Sequence, residues 1–205
     1  MFYVTKSIDI DFAHHVSGHK GACINIHGHT WKFEVTVQAE ELDPTGFVLD
    51  FKRVKEGILM PVHALLDHAL VLPLKTADKI RSELVGVGRA LVATRPADFP
   101  TSYPVDKMVP VSIDTVSATW PDVQAYRAGG MKITTFNFTP TSERIAGWFY
   151  KIAESFLDKE VGRRERLVGI DRYARPRGVM ITNTKIYETL HPVESVATYI
   201  PIVSC

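Results

Sequence analysis

The sequence has little cysteine, since Cys23 and Cys205 are its only thiols in 205 residues. Two cysteines cannot build a disulfide framework, which excludes a small cross-linked secreted domain and favours a reducing, cytoplasmic compartment. An excess of charge of either sign is also lacking, because 24 basic and 23 acidic residues leave a formal net charge of +1. This balance gives no indication of a nucleic acid or an anionic membrane as a partner.

Long apolar runs are missing as well. The most apolar stretch, residues 64–74, is interrupted by Asp67, His68 and Pro73 and is too short to span a bilayer. No basic region followed by an apolar core stands at the start of the chain, so no signal peptide is expected. With 45% hydrophobic residues the chain can bury one sizeable core, and we predict a single domain over residues 1–205.

Two segments near the N-terminus alternate apolar and polar residues with the period of a half-buried strand. In residues 2–14 the apolar positions end in His14, and in residues 27–39 they begin with His27 and His29. If the two strands pair antiparallel, the end of the first lies beside the start of the second. All three imidazoles then fall on one face at one end of the sheet.

Three histidines in this arrangement are typical of a zinc site with an open fourth position, which is the form that catalytic zinc takes. Cys23 lies in the loop between the strands and could supply a fourth ligand, which would make the site structural instead. A thiolate near zinc also suits proton-transfer catalysis, so Cys23 is a candidate base. His15 and His19 are competing ligands, although the alternation places His15 on the opposite face from His14.

Two helices follow from the pattern of apolar residues. Phe51 opens a helical stripe that reaches Leu65, and Pro61 predicts a kink or an early break within it. Residues 139–143 predict the start of the second helix, with Pro140 at the first helical position.

Two strands are predicted near the C-terminus, over residues 179–188 and 195–203. The order of elements favours an α+β fold, with a four-stranded antiparallel sheet and two helices on one of its faces. Residues 75–137 form a long insertion between the helices. Within it the pattern predicts one helix and two short strands, at residues 78–91, 108–113 and 132–138.

Three further groups carry possible chemistry. Asp67 and His68 could form a dyad in which the carboxylate orients the imidazole, although adjacent pairs of this kind are usually only solvated. Glu188, at the end of a predicted strand, could bind a guanidine-like edge of a ligand or could be a surface charge. The six arginines in residues 163–177 could hold phosphates, but an exposed charged connection is favoured.

Six short motifs occur in an informative order. They are Ala13-His14, Cys23-x-x-x-His27-Gly28-His29, Asp50-Phe51, Leu66-Asp67-His68, Pro140-Thr141-Ser142-Glu143 and Tyr187-Glu188-Thr189. With them the chain resembles the 6-pyruvoyltetrahydropterin synthase / 6-carboxytetrahydropterin synthase family, whose members have the tunnelling fold, or T-fold. By motif order the resemblance covers residues 1–74 and 138–203, and the insertion is far longer than the family norm.

The resemblance implies a zinc-dependent carbon–oxygen lyase that acts on a pterin triphosphate and assembles as a homohexamer of two stacked trimeric rings. It implies that His14, His27 and His29 are zinc ligands and that Cys23 is the base that abstracts a proton. Asp67 and His68 would form the second catalytic pair. Glu188 would anchor the amino-pyrimidine edge of the substrate, with Thr141 and Ser142 near the pterin ring.

One spacing separates the branches of the family. Three residues lie between Cys23 and His27, which resembles the bacterial carboxypterin synthases of queuosine biosynthesis, whereas the animal pyruvoyl synthases have a longer gap. The expected reaction converts 7,8-dihydroneopterin triphosphate to 6-carboxy-5,6,7,8-tetrahydropterin with loss of triphosphate and acetaldehyde. The alternatives are a 6-pyruvoyltetrahydropterin synthase, a non-catalytic zinc-stabilised T-fold assembly protein, and a related pterin or purine enzyme.

Overall fold

A computed structural model describes residues 1–94, 109–110, 122–166, 178–189 and 195–202. The strands in this part of the chain are β1 (Phe2–His14), β2 (His27–Ala39), β3 (Leu70–Pro73), β4 (Val109–Pro110), β5 (Val123–Ala128), β6 (Met131–Phe136), β7 (Met180–Thr189) and β8 (Ser195–Tyr199). The helices are α1 (Phe51–Val54), α2 (Met60–Leu66), α3 (Leu74–Lys79), α4 (Arg81–Ala93) and α5 (Ser142–Arg166). A 3₁₀ turn spans Ala22–Ile24, and a π-helical segment, Lys55–Leu59, joins α1 to α2.

The strands form one sheet in the order β4-β5-β6-β3-β1-β2-β7-β8. Strand β3 pairs parallel with β1 and with β6, while β2 with β7 and β7 with β8 pair antiparallel. The predicted α+β class is confirmed. The predicted four-stranded antiparallel sheet is wrong, because β3 and the β4–β6 strands join the sheet and make it mixed.

Strand β1 has the predicted bounds, and β2 begins at the predicted His27. Their inward positions are buried, with Phe12 and His14 on β1 and Trp31 and Phe33 on β2 all at most 4% exposed. The alternation is readable because one face of each strand packs against the core and the other meets solvent.

The predicted first helix is confirmed between Phe51 and Leu66, and the side chain of Asp50 starts it by accepting a hydrogen bond from the backbone N–H of Lys52. Pro61 does not end the helix, which continues to Leu66. The preceding segment, Lys55–Leu59, widens into a π-helix instead. In an ordinary α-helix the proline ring would clash with the carbonyl four residues earlier, and that carbonyl would lose its hydrogen-bond donor. The wider π-helical turn relieves the clash and changes the hydrogen-bond pattern at this point.

The described chain falls into two compact units, the first of which comprises residues 1–9, 30–63 and 142–205. In it helix α5 lies on β7, where the hydroxyl of Thr184 donates to the carbonyl of Ala146 at 2.8 Å. Phe149 packs edge to face on Phe33 with ring centroids 5.4 Å apart. These contacts bury the apolar stripe of α5 that the sequence predicts.

The second unit comprises residues 10–29 and 64–141 and has a core of its own. That core consists of Leu72, Ala77, Leu84, Ala128 and Ile133. The helix predicted at residues 78–91 is confirmed as α4 with a later start, because the chain breaks at Ile80 between α3 and α4. Glycine permits α4 to lie against the β5–β6 turn, since a Cβ on Gly88 would overlap the carbonyl of Ala128.

Helix α5 begins at Ser142, so the prediction of Pro140 as its first helical residue is wrong. The carbonyl of Pro140 accepts a hydrogen bond from His14 Nδ1, and the N–H of Thr141 donates to the carbonyl of Thr139. These contacts hold residues 139–141 in a non-helical conformation, so that the helix begins at the following residue.

The remaining predicted elements are confirmed with shifted ends in β6, β7 and β8. Strand β4 lies within the predicted strand at residues 108–113, the rest of which falls outside the described residues, as do Cys205 and residues 167–177 of the arginine-rich stretch. The single domain with an insertion at 75–137 stays a prediction. Across the described ranges, every helix is too short or too polar to cross a membrane.

Candidate functional site

Three imidazoles meet in the second unit where β1 ends and β2 begins. The ring centroids are 4.5 Å apart for His14 and His27, 4.9 Å for His27 and His29, and 5.8 Å for His14 and His29. One nitrogen from each ring lies within 4.8 Å of the others. His14 is buried at 1% exposure, and the other two rings are half-buried.

Backbone carbonyls orient two of the rings. The Nδ1 of His14 lies 3.0 Å from the carbonyl oxygen of Pro140, and the Nδ1 of His27 lies 2.9 Å from that of Asn25. A carbonyl can only accept, so each Nδ1 carries the proton and donates it. In the neutral rings both Nε2 atoms therefore bear lone pairs, and they face each other at 3.1 Å.

This arrangement fits a bound cation. Two facing lone pairs repel each other unless a proton or a metal ion lies between them. Zinc bonded to imidazole nitrogens at about 2.0–2.1 Å in tetrahedral geometry separates them by about 3.4 Å, close to the spacing of His14 and His27. A second hydrogen bond from each ligand ring to a carbonyl is the usual support of such a site.

Cys23 lies in the 3₁₀ turn between the two strands and is half-buried. Its carbonyl oxygen accepts a hydrogen bond from the N–H of Val16 at 3.0 Å. In the described part of the chain its thiol does not belong to the group of side chains placed to share one metal ion. The geometry thus gives no support to Cys23 as a fourth ligand of the histidine cluster.

His15, a competing ligand candidate, holds the Cys23 loop instead. Its Nδ1 donates to the carbonyl of Ile24 at 2.7 Å, and Ser17 Oγ donates to its Nε2 at 3.1 Å. Thr76 of helix α3 lies 2.9 Å from the same Ser17 oxygen. A chain of hydrogen bonds thereby links Thr76 to the loop that carries the Cys23 thiol. The alternation of β1 already indicated that His15 lies on the opposite face from His14 and so outside the cluster.

Asp67 and His68 form the predicted contact in the turn after α2. The Oδ2 of Asp67 lies 3.0 Å from the Nδ1 of His68, whose side chain is 78% exposed while that of Asp67 is 26% exposed. A carboxylate on Nδ1 leaves Nε2 as the atom that exchanges a proton with a ligand. His68 has a φ of +56°, a left-handed conformation that costs a non-glycine residue about 1–2 kcal/mol. Strain of this kind is often found at functional turns.

Two side chains of β6, which sequence reasoning did not single out, reach the end of helix α2. Lys132 Nζ donates to the carbonyl oxygens of Ala64 and Asp67, each at 2.7 Å. Thr134 Oγ1 donates to the carbonyl of Leu65 at 2.8 Å. Burial lowers the pKa of Lys132 to about 8, while the Asp67 carboxylate acts to raise it and the Arg127 guanidinium to lower it.

The predicted substrate-binding residues lie at the start of α5 and on β7. Ser142 Oγ donates to Glu188 Oε2 at 2.5 Å, and both side chains are half-buried. This contact fixes one carboxylate oxygen of Glu188 and so orients the group. Thr141 directly precedes the helix and is half-buried in the second unit.

Comparison with known proteins gives a family match over most of the chain. Residues 3–178 match the family model described as 6-pyruvoyl tetrahydropterin synthase. The chain is 38% identical over 72 residues to a 6-carboxy-5,6,7,8-tetrahydropterin synthase of Rickettsia typhi, which is 35% of this chain and 52% of that protein. For the protein of the same name from Bacillus subtilis the identity is 37% over 71 residues, which is 34% of this chain and 46% of the relative. The chain thus spans about half the length of the curated relatives it matches.

The backbone is also similar to a solved structure. An uncharacterized protein from Wolinella succinogenes superposes with a TM-score of 0.58 at 19% sequence identity, and the alignment covers 97% of each chain. At this identity the similarity establishes the fold alone.

Proposed function

The chain belongs to the 6-pyruvoyl tetrahydropterin synthase family, and from that premise we propose that it is a zinc-dependent carbon–oxygen lyase. Its proposed substrate is 7,8-dihydroneopterin triphosphate, and its product is 6-carboxy-5,6,7,8-tetrahydropterin, formed with uptake of one water molecule and loss of triphosphate and acetaldehyde. The observation that carries the proposal is the pair of facing Nε2 atoms of His14 and His27, 3.1 Å apart beside His29. Chemistry that needs a Lewis acid has a suitable set of donors there.

His14, His27 and His29 are the proposed ligands. Zinc bound to them would supply a Lewis acid that polarises the side-chain hydroxyls of the substrate and acidifies the adjacent C–H bonds. The carbonyls of Pro140 and Asn25 keep Nδ1 protonated on two of the rings, so that Nε2 stays available as the donor atom.

Cys23 and the Asp67–His68 pair are the proposed proton carriers. Cys23, as a thiolate, takes a proton from the substrate side chain, and the electrons of that C–H bond expel triphosphate. His68 exchanges a second proton through Nε2, because its Nδ1 faces Asp67. The high exposure of His68 leaves this atom accessible to a ligand.

Glu188 is the proposed anchor of the pterin ring, with Thr141 and Ser142 beside it. A carboxylate can accept two N–H groups from the amino-pyrimidine edge in the paired geometry it uses with guanidinium. The hydroxyl of Ser142 supports this role because it holds one Glu188 oxygen in place.

Two observations favour the carboxypterin branch over the pyruvoyl branch. The relatives from Rickettsia typhi and Bacillus subtilis carry the carboxypterin name. The three-residue spacing between Cys23 and His27 is the second. A homohexamer, a cytoplasmic location and a place in queuosine biosynthesis remain part of the proposal.

Release of triphosphate by the zinc-loaded protein tests the lyase function. We expect wild type to release it and His29→Ala to lose both zinc and turnover. His19→Ala serves as the control, since His19 is exposed and lies outside the histidine cluster, and it should keep both. If wild type binds zinc yet releases no triphosphate and shows no substrate-induced rise in melting temperature, the protein is a zinc-stabilised assembly protein.

A further inference from the structure

The turn that carries the Asp67–His68 pair stands at the C-terminus of helix α2, where the last carbonyl groups have no partner within the helix. Three of these carbonyls, and that of Asp67 just beyond the helix, have partners outside the regular helical pattern. The carbonyl of Leu66 accepts from the N–H of Ala69, and that of Leu65 accepts from Thr134. The carbonyls of Ala64 and Asp67 both accept from Lys132.

The contact of Lys132 differs in kind from that of Thr134. Thr134 reaches a carbonyl inside the helix, whereas Lys132 also binds the carbonyl of Asp67 itself, beyond the last helical residue. A positive charge at this end of a helix also opposes the negative end of its dipole. Lys132 thus joins the last turn of α2 to the peptide unit between Asp67 and His68.

That peptide unit needs support, because His68 is held at a φ of +56° while most of its side chain is exposed. An exposed imidazole gains little from packing, so other contacts must stabilise the left-handed backbone. The N–H of this peptide unit, that of His68, donates to the carbonyl of Asp11 at 2.7 Å. The C=O of the same unit, that of Asp67, accepts from Lys132.

We propose that Lys132 is a positioning residue for the Asp67–His68 pair: its ammonium group clamps the carbonyls of Ala64 and Asp67 and fixes the strained turn from which both side chains project. The proposal rests on the proposed function, in which this pair transfers a proton. It also assigns a role to the insertion at residues 75–137, since β6 is part of it. The charged groups that act on Lys132 are Asp67 and Arg127.

Amide hydrogen exchange tests the clamp without any substrate. In Lys132→Met we expect the amides of His68 and Ala69 to exchange at least about tenfold faster than in wild type, because a charged donor is lost from their turn. Amides of β7 should keep their protection. Lys132→Arg retains the charge and the N–H donors and should recover most of the protection at both positions.

Steady-state kinetics then test the consequence for the reaction. Lys132→Met should lower kcat by about 10- to 100-fold with little change in KM, since a misplaced acid–base pair slows the chemical step. Thr134→Val is the matched control, because it removes a hydrogen bond to the same helix from the same strand. It should lower the melting temperature and leave kcat within about threefold of wild type.

The outcomes separate the two proposals. If wild type does not turn over dihydroneopterin triphosphate, the proposed function fails, and the exchange rates of His68 and Ala69 still decide whether Lys132 is a clamp. Unchanged exchange in Lys132→Met overturns the clamp. So does a loss of kcat in Thr134→Val as large as that in Lys132→Met, because Lys132 would then have only a general structural role.

Discussion

At the scale of single residues, Cys23 is the group for which the sequence leaves two roles open. From spacing alone its thiol could be a zinc ligand or a base. Among the described residues, the side chains placed to share a metal ion include the three histidines and not the Cys23 thiol, and the loop bearing the thiol is held by His15 and Val16. This grouping is compatible with the proposed role of Cys23 as a proton carrier.

Cys23→Ala therefore separates the two roles. We expect this variant to bind one zinc ion per chain as wild type does and to lose turnover by about 100-fold or more, since a general base contributes at least that much. Metal content by mass spectrometry of the native protein and release of triphosphate are the two measurements. Loss of zinc together with turnover would make Cys23 a structural ligand.

Lys132 gives a pH dependence of stability. Its pKa is about 8 in the folded protein and 10.5 when exposed. Between these values the unfolded chain binds the proton that the folded chain has released, so the free energy of unfolding rises with pH. Below pH 8 both states are protonated and this slope disappears.

Urea unfolding at several pH values measures this effect by difference. We expect the stability of wild type relative to Lys132→Met to increase from pH 8 to about pH 10, because methionine does not titrate and all other groups are shared. Lys132→Arg stays protonated throughout and should lack the slope. Parallel pH profiles for wild type and Lys132→Met would show that Lys132 has an ordinary pKa.

The three histidines were accessible to sequence reasoning, and Lys132 was not. The alternation in β1 and β2 places His14, His27 and His29 on one face of neighbouring strands, and the carbonyl partners only refine their orientation. The contact of Lys132 depends on the parallel pairing of β6 with β3, which brings β6 beside the end of α2. Nothing in the local pattern of a six-residue strand specifies that neighbour.

At the scale of elements, the two glycines of helix α4 differ in how closely other backbone atoms approach them, which the sequence does not show. Gly86 and Gly88 both weaken the helical prediction, since glycine disfavours helix. In the structure they differ: a Cβ on Gly86 would meet no atom within 4 Å, whereas one on Gly88 would overlap the backbone of Ala128. Gly88 thus permits the close approach of α4 to the hairpin of β5 and β6.

This difference gives a matched pair of substitutions. Gly86→Ala should stabilise the protein by about 0.5–1 kcal/mol through helix propensity alone. Gly88→Ala should destabilise it by about 1–3 kcal/mol, because the methyl group forces helix and hairpin apart. Thermal or urea unfolding measures both. Equal effects of the same sign would mean that α4 does not pack closely on the hairpin.

The elements that sequence reasoning located best are those with one buried and one exposed face. Strands β1 and β2 and helix α5 bury a regular set of positions, so that their period is visible. Strand β3 was missed because its four residues, Leu70–Pro73, are too few to show a period, and three of them are buried. Short buried runs cannot be assigned to strand or helix by pattern alone.

At the scale of the whole molecule, the resemblance drawn from six motifs agrees with the family match over residues 3–178. The resemblance did not predict the number of strands in the sheet. The central motifs specify the ends of β1, β2 and α2, whereas the segment after α2 adds strands with a core of its own. Long-range pairing of this kind depends on contacts between distant residues, which a single sequence does not display.

Residues of the predicted insertion, 75–137, connect to the segments that carry both proposed proton carriers within the second unit. Thr76 reaches the Cys23 loop through Ser17 and His15, and Lys132 reaches the turn of Asp67 and His68. An added segment that supports existing groups is compatible with the proposed chemistry. Its length alone therefore gives no reason to assign a different reaction.

Analysis of the products formed from 7,8-dihydroneopterin triphosphate by the zinc-loaded protein tests the central claim most directly. Mass spectrometry of the pterin, together with trapping of the aldehyde, should give 6-carboxytetrahydropterin with one triphosphate and one acetaldehyde per turnover. A pyruvoyl product without acetaldehyde would contradict the assigned branch. Unchanged substrate in the presence of one bound zinc ion per chain would contradict the lyase function itself.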